Sequence, residues 1–188
     1  MENLISGFLT KIGHFSGEEL ALLREKIVFK KLKKDEVLLD KGEICSSLSF
    51  IINGSLYQYK TDTDSNKNII DLNVTDDWII NHKSFTTQKP SEYTIQAYEE
   101  STICLLTIDS IHQLIAKSQS FLKLGKVLEA SISRIDFFDN NNTPDEKYQY
   151  ILENNFEITQ RFPLKLIASY LKMTPETLSR VRNRLSKL

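Results

Sequence analysis

The sequence predicts an α+β chain: an antiparallel β-roll or jelly-roll, then a long helix, then a small helical unit. Three observations carry this. Seven short β-prone runs (37–39, 48–52, 55–59, 69–74, 78–80, 93–97 and 103–108) are separated by turn chemistry. From Phe121 onward, Leu124, Leu128, Ser131, Ile135 and Phe138 recur at alternating three- and four-residue steps, the spacing of a helical seam. Residues 163–188 then divide into two short amphipathic helices joined by a tight turn.

The elements follow in order. Ser16-Gly17-Glu18-Glu19 is a capping box that opens a helix over 17–27. Asn53-Gly54 joins two of the β-runs as a hairpin turn, because both residue types tolerate positive φ. Residues 61–68, rich in Asp and Asn, form another hairpin tip. Helix returns near Asp109 and leads into the seam, whose 3.5-residue period suits a second copy of the same helix. The run 139–142 (Asp-Asn-Asn-Asn) is a polar hinge, and Thr143-Pro144-Asp145-Glu146 is a second capping box. The chain therefore divides into a β-roll sensor over 1–118, a dimerisation helix and hinge over 119–140, and a helical unit over 141–188.

In the last unit Leu164, Ile167, Ala168 and Leu171 line one helix. Thr174 stands at an N-cap position, with Pro175 first in the next helix and Glu176 in its first turn. Leu178, Val181, Leu185 and Leu188 point inward, leaving Glu176, Ser179, Arg180, Asn183 and Lys187 on the opposite face, flanked by Arg182 and Arg184. Such side chains read base edges and grip phosphates, although the same face could be merely solvated. Charge favours the first reading. The 188 residues carry a net charge of −1, yet seven Lys/Arg and one acid lie from Arg161 onward, so +6 at one end balances −7 over the rest.

Composition excludes other classes. No apolar run is long enough to span a bilayer, and the last helix lacks the aromatics of a membrane-surface helix, so no membrane partner is expected. The N-terminus carries no secretory signal, and the distant Cys45 and Cys104 form no disulfide framework, which suits the cytoplasm. Two thiols cannot hold an iron–sulfur cluster, and His14, His82 and His112 are scattered, so no metal site and no cofactor are expected. No nucleophile–base pair or phosphate-cradling glycine loop is present, so the chain does not read as an enzyme.

The chain resembles the Crp/Fnr family of transcription regulators over nearly its full length. The motifs that carry this are Lys41-Gly42-Glu43 before a strand, Phe50-Ile51-Ile52-Asn53-Gly54-Ser55-Leu56 and, closest, Thr174-Pro175-Glu176-Thr177-Leu178-Ser179-Arg180. The resemblance implies a cyclic-nucleotide-binding-like β-roll, a dimerisation helix and a helix-turn-helix with little or no wing. It further implies a homodimer on double-stranded DNA bearing an inverted-repeat operator, RNA polymerase as a further partner, and a small-molecule effector of unknown identity. The DNA-binding residues would be Thr174, Glu176, Thr177, Ser179, Arg180, Asn183, Arg184 and Lys187, with Glu176 and Arg180 as the base-reading pair. The dimerisation residues would be Phe121, Leu124, Leu128, Ser131, Ile135 and Phe138. Two departures stand out. Lys172 occupies the turn position that usually holds glycine, where a left-handed backbone costs about 1 kcal/mol. In the effector cassette Gly-Glu becomes Ile80-Asn81 and Arg-Ser becomes Ser91-Glu92. The candidate effector pocket is thus Trp78, Ile80, Asn81, Ser91 and Glu92, with a carboxylate where a phosphate-clamping arginine would stand, and cyclic AMP is not expected to bind in the usual way. The alternative reading is a ligand-sensing or protein-interacting barrel without sequence-specific DNA binding.

Overall fold

The computed structural model describes residues 12–64, 66–139 and 142–185. Helix α1 (Gly17–Lys26) opens on the capping box, with both reciprocal hydrogen bonds between Ser16 and Glu19 present. Eight strands follow: β1 (Val28–Leu32), β2 (Val37–Leu39), β3 (Ser47–Asn53), β4 (Leu56–Thr61), β5 (Lys67–Asn73), β6 (Trp78–Ile79), β7 (Thr94–Ala97) and β8 (Ser101–Thr107). They form two four-stranded antiparallel sheets, in the orders β1-β8-β3-β6 and β2-β7-β4-β5. A short helix α2 (His82–Thr87) lies between β6 and β7.

The seven sequence-derived runs all become strands. The strand over Val28–Leu32 is additional. It lies at a sheet edge, carries Lys30 and Lys31, and buries only Leu32, so it shows no two-residue alternation. At the β3–β4 turn only Gly54 has positive φ, +105°, while Asn53 still belongs to β3. A Cβ on Gly54 would lie 2.8 Å from the Glu100 carbonyl oxygen, so this turn requires glycine.

Leu48, Phe50, Leu56, Ile79, Ile95 and Ile103 are among the residues of one apolar core that joins the roll to the helices packed on it. Cys45 and Cys104 are buried there, and burial pushes the Cys104 thiol up to about 12 and raises that of Cys45.

After the roll come α3 (Ile108–Lys117), a 3₁₀ segment (Gln119–Leu124) and α4 (Gly125–Asp139). The 3₁₀ segment corrects the sequence-derived seam. A 3₁₀ turn advances three residues rather than 3.6, so Phe121 and Leu124 are not in phase with the helix beyond them. Phe121, Leu124, Ser131 and Phe138 are all buried against their own chain. They therefore form no outward dimer face, and α4 instead presents Ile132, with Leu128 and Ile135 half-buried beside it.

The last unit comprises α5 (Pro144–Asn154), α6 (Ile158–Arg161), α7 (Leu164–Tyr170) and α8 (Pro175–Leu185). It is not a free appendage. Tyr57, Tyr59, Ile69, Leu72 and Val74 of the second sheet share one apolar core with Phe138, Ile158, Phe162, Ile167, Tyr170 and Leu178. The outer face of that sheet, which would otherwise meet water, is covered by the helices. Tyr98 packs on Phe162 with ring centroids 4.9 Å apart.

Candidate nucleic-acid interface and effector cavity

The turn between α7 and α8 is built as the sequence requires. Lys172 has φ +57°, the left-handed conformation that closes a helix. The Met173 N–H reaches back to the Ala168 carbonyl at 3.0 Å. Thr174 caps α8, its Oγ1 accepting from the Thr177 N–H at 3.2 Å. Leu178 and Val181 are buried, fixing the rotation of the helix about its axis.

That rotation exposes Glu176, Arg180, Arg182, Asn183 and Arg184, with Thr177 and Ser179 half-buried. The Glu176 carboxyl is held below the usual carboxylate range, first by a backbone N–H of its own turn and then by Thr174, with the Arg180 charge adding to this. Glu176 and Arg180 thus lie on one face, an acceptor and a donor one helical turn apart. Arg184 is placed differently from the sequence expectation: it grips Asp145 of α5 through two hydrogen bonds, one of them Nε to Oδ1 at 2.9 Å. Lys187 and Leu188 lie outside the described residues.

The effector cassette folds into a cavity of about 340 Å³ lined by Asn81, Lys83, Ser91, Glu92 and Tyr93, among others. Asn81 caps α2, accepting from the Ser84 N–H at 3.1 Å, and donates to Ser91 Oγ at 2.6 Å. Glu92 is paired with Lys83 at 2.8 Å and lies 3.8 Å from Lys60. The sequence does not place these lysines, and the fold brings both to the carboxylate. Two of the candidate pocket residues are elsewhere. Ile80 is buried in the roll, and Trp78 packs edge-on against Phe50 and lines a separate cavity of about 150 Å³ with Val127, Ser131 and Arg134. Among the described residues no group of three His, Cys, Asp or Glu side chains is placed to hold a metal ion.

Sequence reasoning missed a polar cluster. Asp71 of β5 is 1% exposed and receives two hydrogen bonds from Arg134 of α4, Nε to Oδ1 at 3.0 Å and Nη2 to Oδ2 at 2.5 Å. Tyr170 of α7 is buried against the same carboxylate, and its hydroxyl is pushed well up by burial and by the Asp71 charge. An acid inside the apolar run Ile-Ile-Asp-Leu was the available clue.

Residues 29–118 match the model for the cyclic nucleotide-binding domain. With the roll, long helix and helix-turn-helix in this order, the chain has the Crp/Fnr fold. It is similar to FixK2 from Bradyrhizobium japonicum at 17% identity and TM-score 0.68, covering 86% of this chain and 85% of that one. It is also similar to a CooA variant from Carboxydothermus hydrogenoformans (15%, TM-score 0.63, 93% and 81%). The Thermus thermophilus catabolite activator protein matches at 14% identity and TM-score 0.58, over 94% and 86%. Among curated proteins no sequence is significantly similar to this chain.

The match to the cyclic nucleotide-binding domain model lies over the part of the chain that holds this cavity. A cyclic phosphate entering the cavity would have to separate Lys83 from Glu92, and would then stand beside that carboxylate. Titrating cyclic AMP to millimolar concentration in a calorimeter is expected to give no saturable heat; a saturable isotherm would contradict this.

Proposed function

We propose that this protein is a homodimeric, sequence-specific DNA-binding transcription regulator rather than an enzyme, and that its roll senses something other than cyclic AMP. The observation that carries this reading is the capped, rotationally fixed α8, with Glu176 and Arg180 exposed on one face and Leu178 and Val181 buried on the other. The Crp/Fnr fold supports it. The two recognition helices of a dimer would enter successive major grooves about 34 Å apart on an inverted repeat. The exposed Ile132 of α4, with the half-buried Leu128 and Ile135 beside it, supplies an apolar strip for pairing with a second copy.

The base-reading role has a direct test. Arg180→Ala is expected to cost about 1–3 kcal/mol of binding to a cognate site and to relax preference at one base pair, as competition titrations with single-base variants would show. Equal losses on cognate and scrambled duplexes would reduce Arg180 to a phosphate contact.

A further inference from the structure

We propose that β5 carries a latch that fixes the orientation of the helix-turn-helix relative to the roll, with Asp71, Arg134, Ser169, Tyr170 and Lys172 as its positioning residues. The inference rests on the DNA-binding reading for its functional consequence, but not for its geometry.

β5 lies at the edge of its sheet, so its outward N–H and C=O groups have no strand to pair with. The helix-turn-helix supplies the partners. Ser169 Oγ accepts from the Ile69 N–H at 3.0 Å, and Lys172 Nζ donates to the Ile69 carbonyl at 3.3 Å. Both backbone groups of one edge residue are thereby engaged by side chains from the end of α7 and from the turn. Lys172 therefore has a use that glycine could not serve: it accepts a left-handed backbone and reaches the roll. Two residues further along β5, Asp71 holds Arg134 of the long helix and meets Tyr170 of α7. Beyond the strand, Asn155 Nδ2 donates to Asp77 Oδ2 at 2.6 Å, and Arg161 lies 3.6 Å from Glu99. Sensor strand, dimer-type helix and reading head thus meet at one carboxylate. A carboxylate at 1% exposure is costly to bury, and its arrangement gives directional contacts that an apolar patch would not.

The test measures orientation directly. Spin labels at Lys34→Cys on the roll and Gln160→Cys on α6, both at exposed positions, report the distance between the two units. Labelled subunits are diluted with unlabelled ones. The native thiols are buried and leave the introduced ones as the reactive sites. A narrow distance distribution is expected for the otherwise wild-type protein, and a broadened or displaced one for Ser169→Ala/Lys172→Gly and for Tyr170→Phe. Tyr170→Phe keeps the ring and its packing, so it separates the latch from a loss of fold. DNA binding adds a second readout: a full inverted repeat should lose roughly tenfold or more in affinity while a single half-site loses little, because only the two-headed complex depends on fixed orientation. An unchanged narrow distribution in both variants would overturn the latch, and would leave Lys172→Gly as a simple relief of turn strain. Broadened distances in a protein that binds no duplex selectively would retain the latch and refute the DNA-binding reading.

Discussion

Arg134→Met is expected to destabilise the folded protein by about 3–5 kcal/mol, because it strands the Asp71 carboxylate in the interior without its counter-charge. The effect is asymmetric. Replacing both partners, Arg134→Met with Asp71→Leu, removes the charge as well as the pair, and is expected to recover most of that loss. Urea denaturation at fixed protein concentration, read by tyrosine and tryptophan fluorescence, measures both. A single variant that loses less than about 1 kcal/mol would mean that Asp71 is solvated, contrary to its burial. The double variant also separates stability from orientation. It should fold well yet lack the directional contact to Tyr170, so a stable protein with a loosened helix-turn-helix is the expected combination.

Phe138→Ala is expected to cost about 3–5 kcal/mol, the range for emptying a buried aromatic site. The ring is 2% exposed and packs against Phe137, Tyr150 and Tyr170, at 5.2, 5.5 and 4.5 Å between centroids. This loss would appear in folding stability, not in subunit affinity. Ile132→Asp reports the opposite. Ile132 is 38% exposed on the outward face of α4, so a charge there should leave the monomer fold intact and shift sedimentation from dimer to monomer. If Phe138→Ala dissociated the dimer without destabilising the chain, the sequence-derived seam would be restored.

The contrast between these residues shows what the sequence could and could not disclose. The roll was legible because its strands are short runs rich in β-branched and aromatic residues, and turns between them need Gly, Asn and Asp. The helix-turn-helix was legible because caps and amphipathic spacing are local: Thr174, Pro175, Leu178 and Val181 act within one helix. The apolar spacing of α4 is two-sided. Phe121 and Leu124 belong to a 3₁₀ segment and join the core of the roll, whereas Phe138 packs with the second sheet and the helix-turn-helix. Apolar spacing shows that a face is buried but not which partner buries it. The cassette shows the same limit. Ser91-Glu92 could be read as the loss of an arginine, but the pairing of Glu92 with Lys83, and its proximity to Lys60, depends on bringing together β4, α2 and the loop before β7. The Asp71 cluster was invisible for the same reason, since its members come from residues 71, 134 and 170.

The most direct test of the central claim is selection of binding sites from a random duplex pool near physiological salt, with wild type and Arg180→Ala in parallel. Salt must be fixed because phosphate contacts alone give strong sequence-blind binding when it is low. The account predicts enrichment of an inverted repeat whose half-sites are centred about one helical turn apart, and relaxation at one position of each half-site in the variant. A pool that stays random for the wild type, with only salt-sensitive background binding, would contradict the assignment of α8 as a base-reading helix.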